Sequence, residues 1–220
     1  MASRGKPAEA RRPAPRLYLV TPQAADPDGL REVLAGALAA ADIAAVLLRL
    51  PAADDRTLIN RVKALAPAVQ DKGAALVLDG HAEIVARAGA DGAHLAGIDA
   101  FSAALAALKP ERIAGCGGLN SRHDAMRAAE AGADYVMFGE PDAAGRRPAF
   151  EAITERVAWW AEVFEAPCVG FAGSLDEVET LAGAGADFVA LGDWALSDAQ
   201  GCARTVAEAA RRLAVAEPIA

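Results

Sequence analysis

The chain has 220 residues, a length that one domain accommodates, and it is 54% hydrophobic but only 5% aromatic, so Ala, Val, Leu and Ile must supply most of the core. A net charge of -8 disfavours nonspecific nucleic-acid binding, and the apolar runs are strand-sized, too short to span a membrane. Three cysteines (Cys116, Cys168 and Cys202), an odd number with no CxxC pair, argue against a disulfide scaffold and for a reducing, cytoplasmic setting.

Residues 1–14 are basic, carry prolines and lack the apolar stretch of a secretory signal, so they read as a flexible tail ahead of one domain over 15–220. Within that domain, strand-length apolar runs occupy 16–20, 44–50, 74–78, 92–95, 112–116, 135–138, 168–171 and 188–191. Helical stretches alternate with them at 28–41, 57–72, 80–88, 99–108, 121–131, 150–165, 174–183 and 198–213. The strands are mostly apolar on both sides, as parallel strands covered by helices must be. One phrase occurs three times: AGADGAHLAG at 88–97, AGADYVMFG at 131–139 and AGADFVALG at 184–192. Each copy follows an alanine-rich helix, and its glycine suits a left-handed helix end before the next strand. Eight such units predict an α/β fold, a closed (β/α)8 TIM barrel; a doubly wound open sheet is the alternative, since short apolar runs do not decide closure.

A barrel directs attention to the C-terminal ends of its strands, where active sites of this fold lie. Arg49 follows the second strand and can clamp a phosphate, or pair at the rim with Asp54 or Asp55. Asp79, after the third strand, and Asp99, after the fourth, offer hard oxygens for Mg²⁺; each also suits a helix cap. His94 shares the inward face with Gly92, where it can donate to a phosphate or pack as a satisfied core histidine. After the seventh strand, Gly173 and Ser174 precede Glu177 in a capping-box pattern, and Gly192 follows the eighth strand. Backbone amides there are candidates for a phosphate, although Asp193 beside them opposes an anion.

The loop GEPDAAGRRPAF is the longest irregular piece on this face. Its Arg146 and Arg147 can meet a phosphate, and its Glu140 and Asp142 a cation or ring nitrogen; a solvent loop balancing its own charges is the plainer reading. Trp194 either covers the barrel mouth or fills a phosphate's space. Trp159 and Trp160 are adjacent on one helix and cannot share a face, which raises a homodimer as one use for the second ring. Cys116 reads as a buried, inert thiol.

The phrases RLYLVT (16–21), GADGAHLAG (89–97), AGADYVMFG (131–139), PCVGFAGS (167–174) and AGADFVALG (184–192), in this order, resemble the thiamine phosphate synthase family over nearly the whole chain. That resemblance implies a (β/α)8 barrel that joins an aminopyrimidine diphosphate to a thiazole phosphate with Mg²⁺ and releases pyrophosphate. It matches Arg49 and His94 to the family arginine and histidine, expected as the catalytic pair, and Asp79 and Asp99 to the metal acids. The family phrase Gln-Leu-Arg-Glu-Lys reads LLRLP at 47–51, with Leu47 for the glutamine and Pro51 for the lysine. The Ser-Thr-His phrase falls at Gly117, Gly118 and Leu119, and the Thr-Pro-Thr-Lys loop is replaced by EPDAAGRRPA. Expected phosphate contacts are therefore Arg49, Arg146, Arg147, Gly173, Ser174 and Gly192. A barrel that binds a phosphorylated heterocycle or pyrophosphate without joining it, and a phosphosugar isomerase or epimerase-like barrel, are the other readings.

Overall fold

Eight parallel strands close into a barrel in the order β1 to β8, each hydrogen-bonded to its sequence neighbours and β8 to β1. The computed structural model describes residues 13–23, 27–142, 144–196 and 199–215. The expected tail therefore falls largely outside the described residues; within it, Pro13 and Ala14 are exposed and irregular. The strands are β1 (Arg16–Val20), β2 (Ile43–Leu48), β3 (Ala75–Asp79), β4 (Gly92–Ala96), β5 (Ile113–Gly117), β6 (Tyr135–Phe138), β7 (Cys168–Ala172) and β8 (Phe188–Leu191). The helices are α1 (Pro27–Ala40), α2 (Asp55–Gln70), α3 (Val85–Ala88), α4 (Ile98–Leu108), α5 (Arg122–Glu130), α6 (Phe150–Val163), α7 (Leu175–Gly183) and α8 (Ala199–Val215). Closure, which the sequence left open, is thereby decided.

Strand alternation sorts the core into two layers. Tyr18, Val20, Leu47, Val77, Tyr135, Met137, Val169, Phe171 and Ala190 point into the barrel. Their neighbours Leu17, Leu19, Val46, Leu48, Leu76, Leu78, Val136 and Val189 face the helices. Trp160 is the largest fully buried side chain; it stacks on Phe164 at 4.1 Å, and its indole N–H donates to Ala166 O at 2.7 Å. Trp159 is half-buried, edge-on to Phe164 and beneath the Arg122 guanidinium, so the second ring of the pair is engaged within the chain.

The thrice-repeated phrase is one joint used three times. Its glycines Gly89, Gly132 and Gly185 take φ of 77°, 99° and 96°, the left-handed conformation that ends each helix. Its aspartate then pins the start of the adjacent strand through the side chain as well as the backbone. Asp91 accepts from Leu76 N at 2.7 Å, Asp134 from Ala114 N at 2.7 Å and Asp187 from Cys168 N at 2.8 Å. Each carboxylate satisfies a strand-entry amide that would otherwise lack a ladder partner.

Two expectations about local structure change. The stretch 80–88 is not one helix but a 3₁₀ turn (Ala82–Ile84) followed by the four-residue α3, because Gly80 and His81 both hold positive φ, 72° and 51°. Strand β2 stops at Leu48 instead of Leu50, because Arg49 N–H turns to the buried Thr21 hydroxyl at 3.0 Å. Among the described residues no helix is long and apolar enough to cross a membrane.

Candidate active site at the C-terminal end of the barrel

A cavity of about 1000 Å³ opens at the C-terminal ends of the strands. Arg49, Asp79, His94, Arg146, Arg147 and Gly173 line it, with Glu140, Arg156, Asp193 and Trp194. Asp99 is exposed in the first turn of α4 and Ser174 is exposed at the start of α7, and neither lines the cavity. Gly192 is buried against the Phe171 ring. Neither acid is a helix N-cap: Gly97 holds that place for α4 and His81 for the turn after Asp79.

The inner wall carries a buried chain of polar contacts. Tyr18 Oη meets Tyr135 Oη at 2.8 Å, and Tyr135 Oη meets His94 Nδ1 at 3.0 Å. His94 Nε2 faces Glu140 Oε2 at 3.1 Å, and the other Glu140 oxygen accepts from Gly118 N–H in a short contact. Glycine is required along this line: a Cβ on Gly115 would collide with the Tyr135 ring, and one on Gly117 with both Glu140 and His94. Burial works against a charged His94, but the Glu140 carboxylate outweighs it, Asp79 adds to the effect, and the ring's pKa ends above its ordinary value. Burial raises both tyrosines, so they serve as neutral hydrogen-bonding groups. Cys116 is fully buried, and burial with the nearby Glu140 charge pushes its thiol up to about 12, which fits the inert role expected of it.

At the ends of β2 and β3, with Asp79 the register partner of His94, Arg49 Nε donates to Asp79 Oδ2 at 3.3 Å, both side chains about two-fifths exposed. Arg49 therefore pairs with Asp79 and not with Asp54 or Asp55; Asp54 instead caps α2 through Thr57 N at 3.0 Å. The β6–α6 loop is tied by Asp142, which accepts from Ala144 N, Arg146 N and the Arg146 guanidinium at 2.8–3.0 Å. Arg146 thus balances its own loop and lies exposed.

Arg147 does otherwise. Its Nη1 and Nη2 each reach Glu177 Oε2 at 2.9 Å, Nη2 also donates to Phe171 O at 2.8 Å, and Nε to Gly139 O at 3.3 Å. Glu177 also accepts from Gly173 N at 2.6 Å. The capping box expected between Ser174 and Glu177 does not form, since Ser174 makes no side-chain cap and Arg147 draws Glu177 one residue back, onto Gly173. Trp194 crosses the same end and donates to Ala172 O at 2.8 Å.

With this geometry in hand, the family model described as thiamine monophosphate synthase matches residues 17–193. A thiamine-phosphate synthase of Rhodospirillum centenum is 40% identical over 179 residues, 80% of this chain and 86% of that protein. The chain belongs to the thiamine-phosphate synthase family. A second member, from Hyphomonas neptunium, is 36% identical over 188 residues, 82% of this chain and 85% of that protein. The solved thiamine phosphate pyrophosphorylase from Pyrococcus furiosus superposes with a TM-score of 0.74 at 21% identity, covering 90% of this chain and 95% of that one, a likeness of fold.

Of the residues named from the sequence, the cavity gathers Arg49, Asp79, His94, Arg146, Arg147 and Gly173; the sequence reading missed Tyr18, Tyr135, Arg156 and the true partner of Glu177. The tyrosines carried one legible signal, a polar tip at an inward-facing position of an otherwise apolar strand. Arg156 carried none: it lies on α6 and reaches the cavity only because the helix packs beside β6, where its Nη1 donates to Leu119 O at 2.8 Å.

Proposed function

We propose that this chain catalyses the condensation for which its relatives are named. The thiazole nitrogen lone pair forms a bond to the methylene carbon of the aminopyrimidine diphosphate. The carbon–oxygen bond to the diphosphate breaks, and pyrophosphate leaves with that electron pair. The observation that supports this most directly is the cavity itself: in a chain of this family, at the C-terminal end of the barrel, it brings a guanidinium, a carboxylate and the His94–Glu140 pair to one mouth.

Chemistry of this kind needs the leaving diphosphate stabilised and the developing cation tolerated. Arg49 is the residue assigned to the diphosphate, since it lines the cavity and its side chain stays about two-fifths exposed beside Asp79. His94, buried with Nδ1 on Tyr135 and Nε2 on Glu140, keeps no N–H for the leaving oxygen and acts by holding the Glu140 carboxylate in place. The Glu140 carboxylate, one-fifth exposed, faces the cationic pyrimidine methylene.

Mg²⁺ belongs to the same reading. Among the described residues no group of three or more His, Cys, Asp or Glu is gathered, and Mg²⁺ commonly takes one or two carboxylates together with substrate phosphates and water. Asp79 lines the cavity with hard oxygens and would hold the ion together with substrate phosphates and water, where it would neutralise charge on the departing diphosphate; Asp99, exposed on α4, lies outside the cavity lining. We propose a cytoplasmic setting on the odd number of cysteines, all three buried, and light scattering decides between a monomer and the homodimer.

The test is calorimetric titration with the aminopyrimidine diphosphate and with pyrophosphate, each with and without Mg²⁺. Mg²⁺-dependent binding that Asp79→Asn abolishes, followed by product formation with the thiazole phosphate, is the expected result. No heat from either ligand, with or without Mg²⁺, would sink the proposal. A barrel that binds such ligands without joining them is favoured by one observation, the internal engagement of donors around β7, and it predicts binding with no product.

A further inference from the structure

The end of β7 has its polar groups already spoken for. Phe171 O accepts from Arg147, Ala172 O accepts from Trp194, and Gly173 N–H donates to Glu177. Arg147 spends Nε on Gly139 O, Nη2 on Phe171 O and Glu177, and Nη1 on Glu177. An arginine has five N–H donors, so almost the whole fork is engaged within the chain. The pair is sheltered, with side chains 23% and 19% exposed.

We infer that Glu177 determines which chemical group this end of the cavity accepts, by holding with its own carboxylate the two donors that a phosphate would use there. The inference rests on the reading above that the cavity is the ligand site, and it deepens that reading by naming the ligand class at one end. A carboxylate that accepts from an amide and a guanidinium fork does what a phosphate oxygen would do at the same donors. Charge points the same way: Arg147 and Glu177 sum to zero, so the pair offers an arriving dianion no net positive charge. Steric fit agrees as well: the Arg147 guanidinium lies so close to the Gly173 α-carbon that a methyl group there would strike it. A phosphate monoester enters this end by displacing Glu177 from Arg147 and the Gly173 amide, whereas a neutral acceptor, such as the corresponding alcohol, enters without that cost.

The experiment titrates inorganic phosphate calorimetrically into the wild-type chain, Glu177→Ala, Glu177→Gln and the double variant Glu177→Ala/Arg147→Ala. Freeing Arg147 and the Gly173 amide should tighten phosphate binding by about tenfold or more in Glu177→Ala, the scale of one charge-assisted contact regained. The gain should disappear in the double variant, which isolates this site from Arg49. Glu177→Gln keeps the shape and one acceptor, and should gain less than the alanine variant; it carries the test if alanine prevents folding. Equal phosphate affinity in all single variants and wild type, or a gain that survives removal of Arg147, overturns the inference. A parallel assay compares the thiazole phosphate with the thiazole alcohol as acceptor. Wild type should prefer the phosphate little or not at all, and both Glu177 variants should shift the kcat/KM ratio toward it. If wild type joins neither acceptor, the proposed reaction fails while the phosphate titration still decides the role of Glu177.

Discussion

Replacing Glu140 by glutamine probes the buried chain from its open end. Glu140 holds two donors, His94 Nε2 at 3.1 Å and the Gly118 amide, and His94 is only 3% exposed, so water cannot substitute for the lost charge. Glutamine keeps one acceptor oxygen, so the change removes one hydrogen bond to a charged group, worth about 1.5–3 kcal/mol. At about 2–4 °C per kcal/mol for a domain of this size, the melting temperature near pH 6 should fall by roughly 3–12 °C. The sign of the pH dependence follows from His94. Its folded pKa lies above the ordinary value, so the stabilisation from charging it is full below about pH 6.5 and is lost as pH rises through the folded value. The gap between wild type and Glu140→Gln should therefore narrow as pH rises above about 6.5 and through the raised folded value, toward about 1 kcal/mol, the worth of an ordinary hydrogen bond. Thermal unfolding followed by circular dichroism gives the gap, and an NMR titration of the His94 ring should show its pKa fall in the variant. A gap that is constant or wider at the higher pH would refute the reasoning.

Gly115→Ala places a methyl group on the Tyr135 ring, and should cost about 1–3 kcal/mol in urea unfolding by overpacking. Gly183→Ala, at the end of α7 with no atom within 4 Å of the added Cβ, should leave the midpoint unchanged or raise it slightly, so the difference between the two variants reports the collision and not the loss of a glycine. All three cysteines are buried, and Cys116 is held protonated to about 12, so iodoacetamide near pH 8 should label none of them until the chain is unfolded, as mass spectrometry would reveal.

The contrast between the legible and the illegible parts of the site follows sequence separation. Arg49, Asp79 and His94 were readable because each sits at or just past the end of an apolar strand, and a parallel barrel fixes what such a position faces. Glu140 and its ring-nitrogen partner were half readable: the loop acid was named, but the histidine it meets lies 46 residues earlier. Glu177 was misread because Ser174 and Glu177 form a capping pattern at local range, while Arg147, 30 residues away in sequence, offers that carboxylate a guanidinium fork. A local hydrogen bond to one amide gave way to a sheltered ion pair with several contacts.

By itself the sequence determined the alternation of strand and helix, because apolar period and glycine-terminated helices are properties of short windows. It also determined the repeated joint, since the same four residues meet the same neighbours in each unit. The three-dimensional structure alone decided closure of the sheet, which depends on β8 meeting β1 across the whole chain. It decided the partners of Arg49, His94 and Arg147 too, because those pairs form between loops that only the closed ring of strands brings within reach of one another.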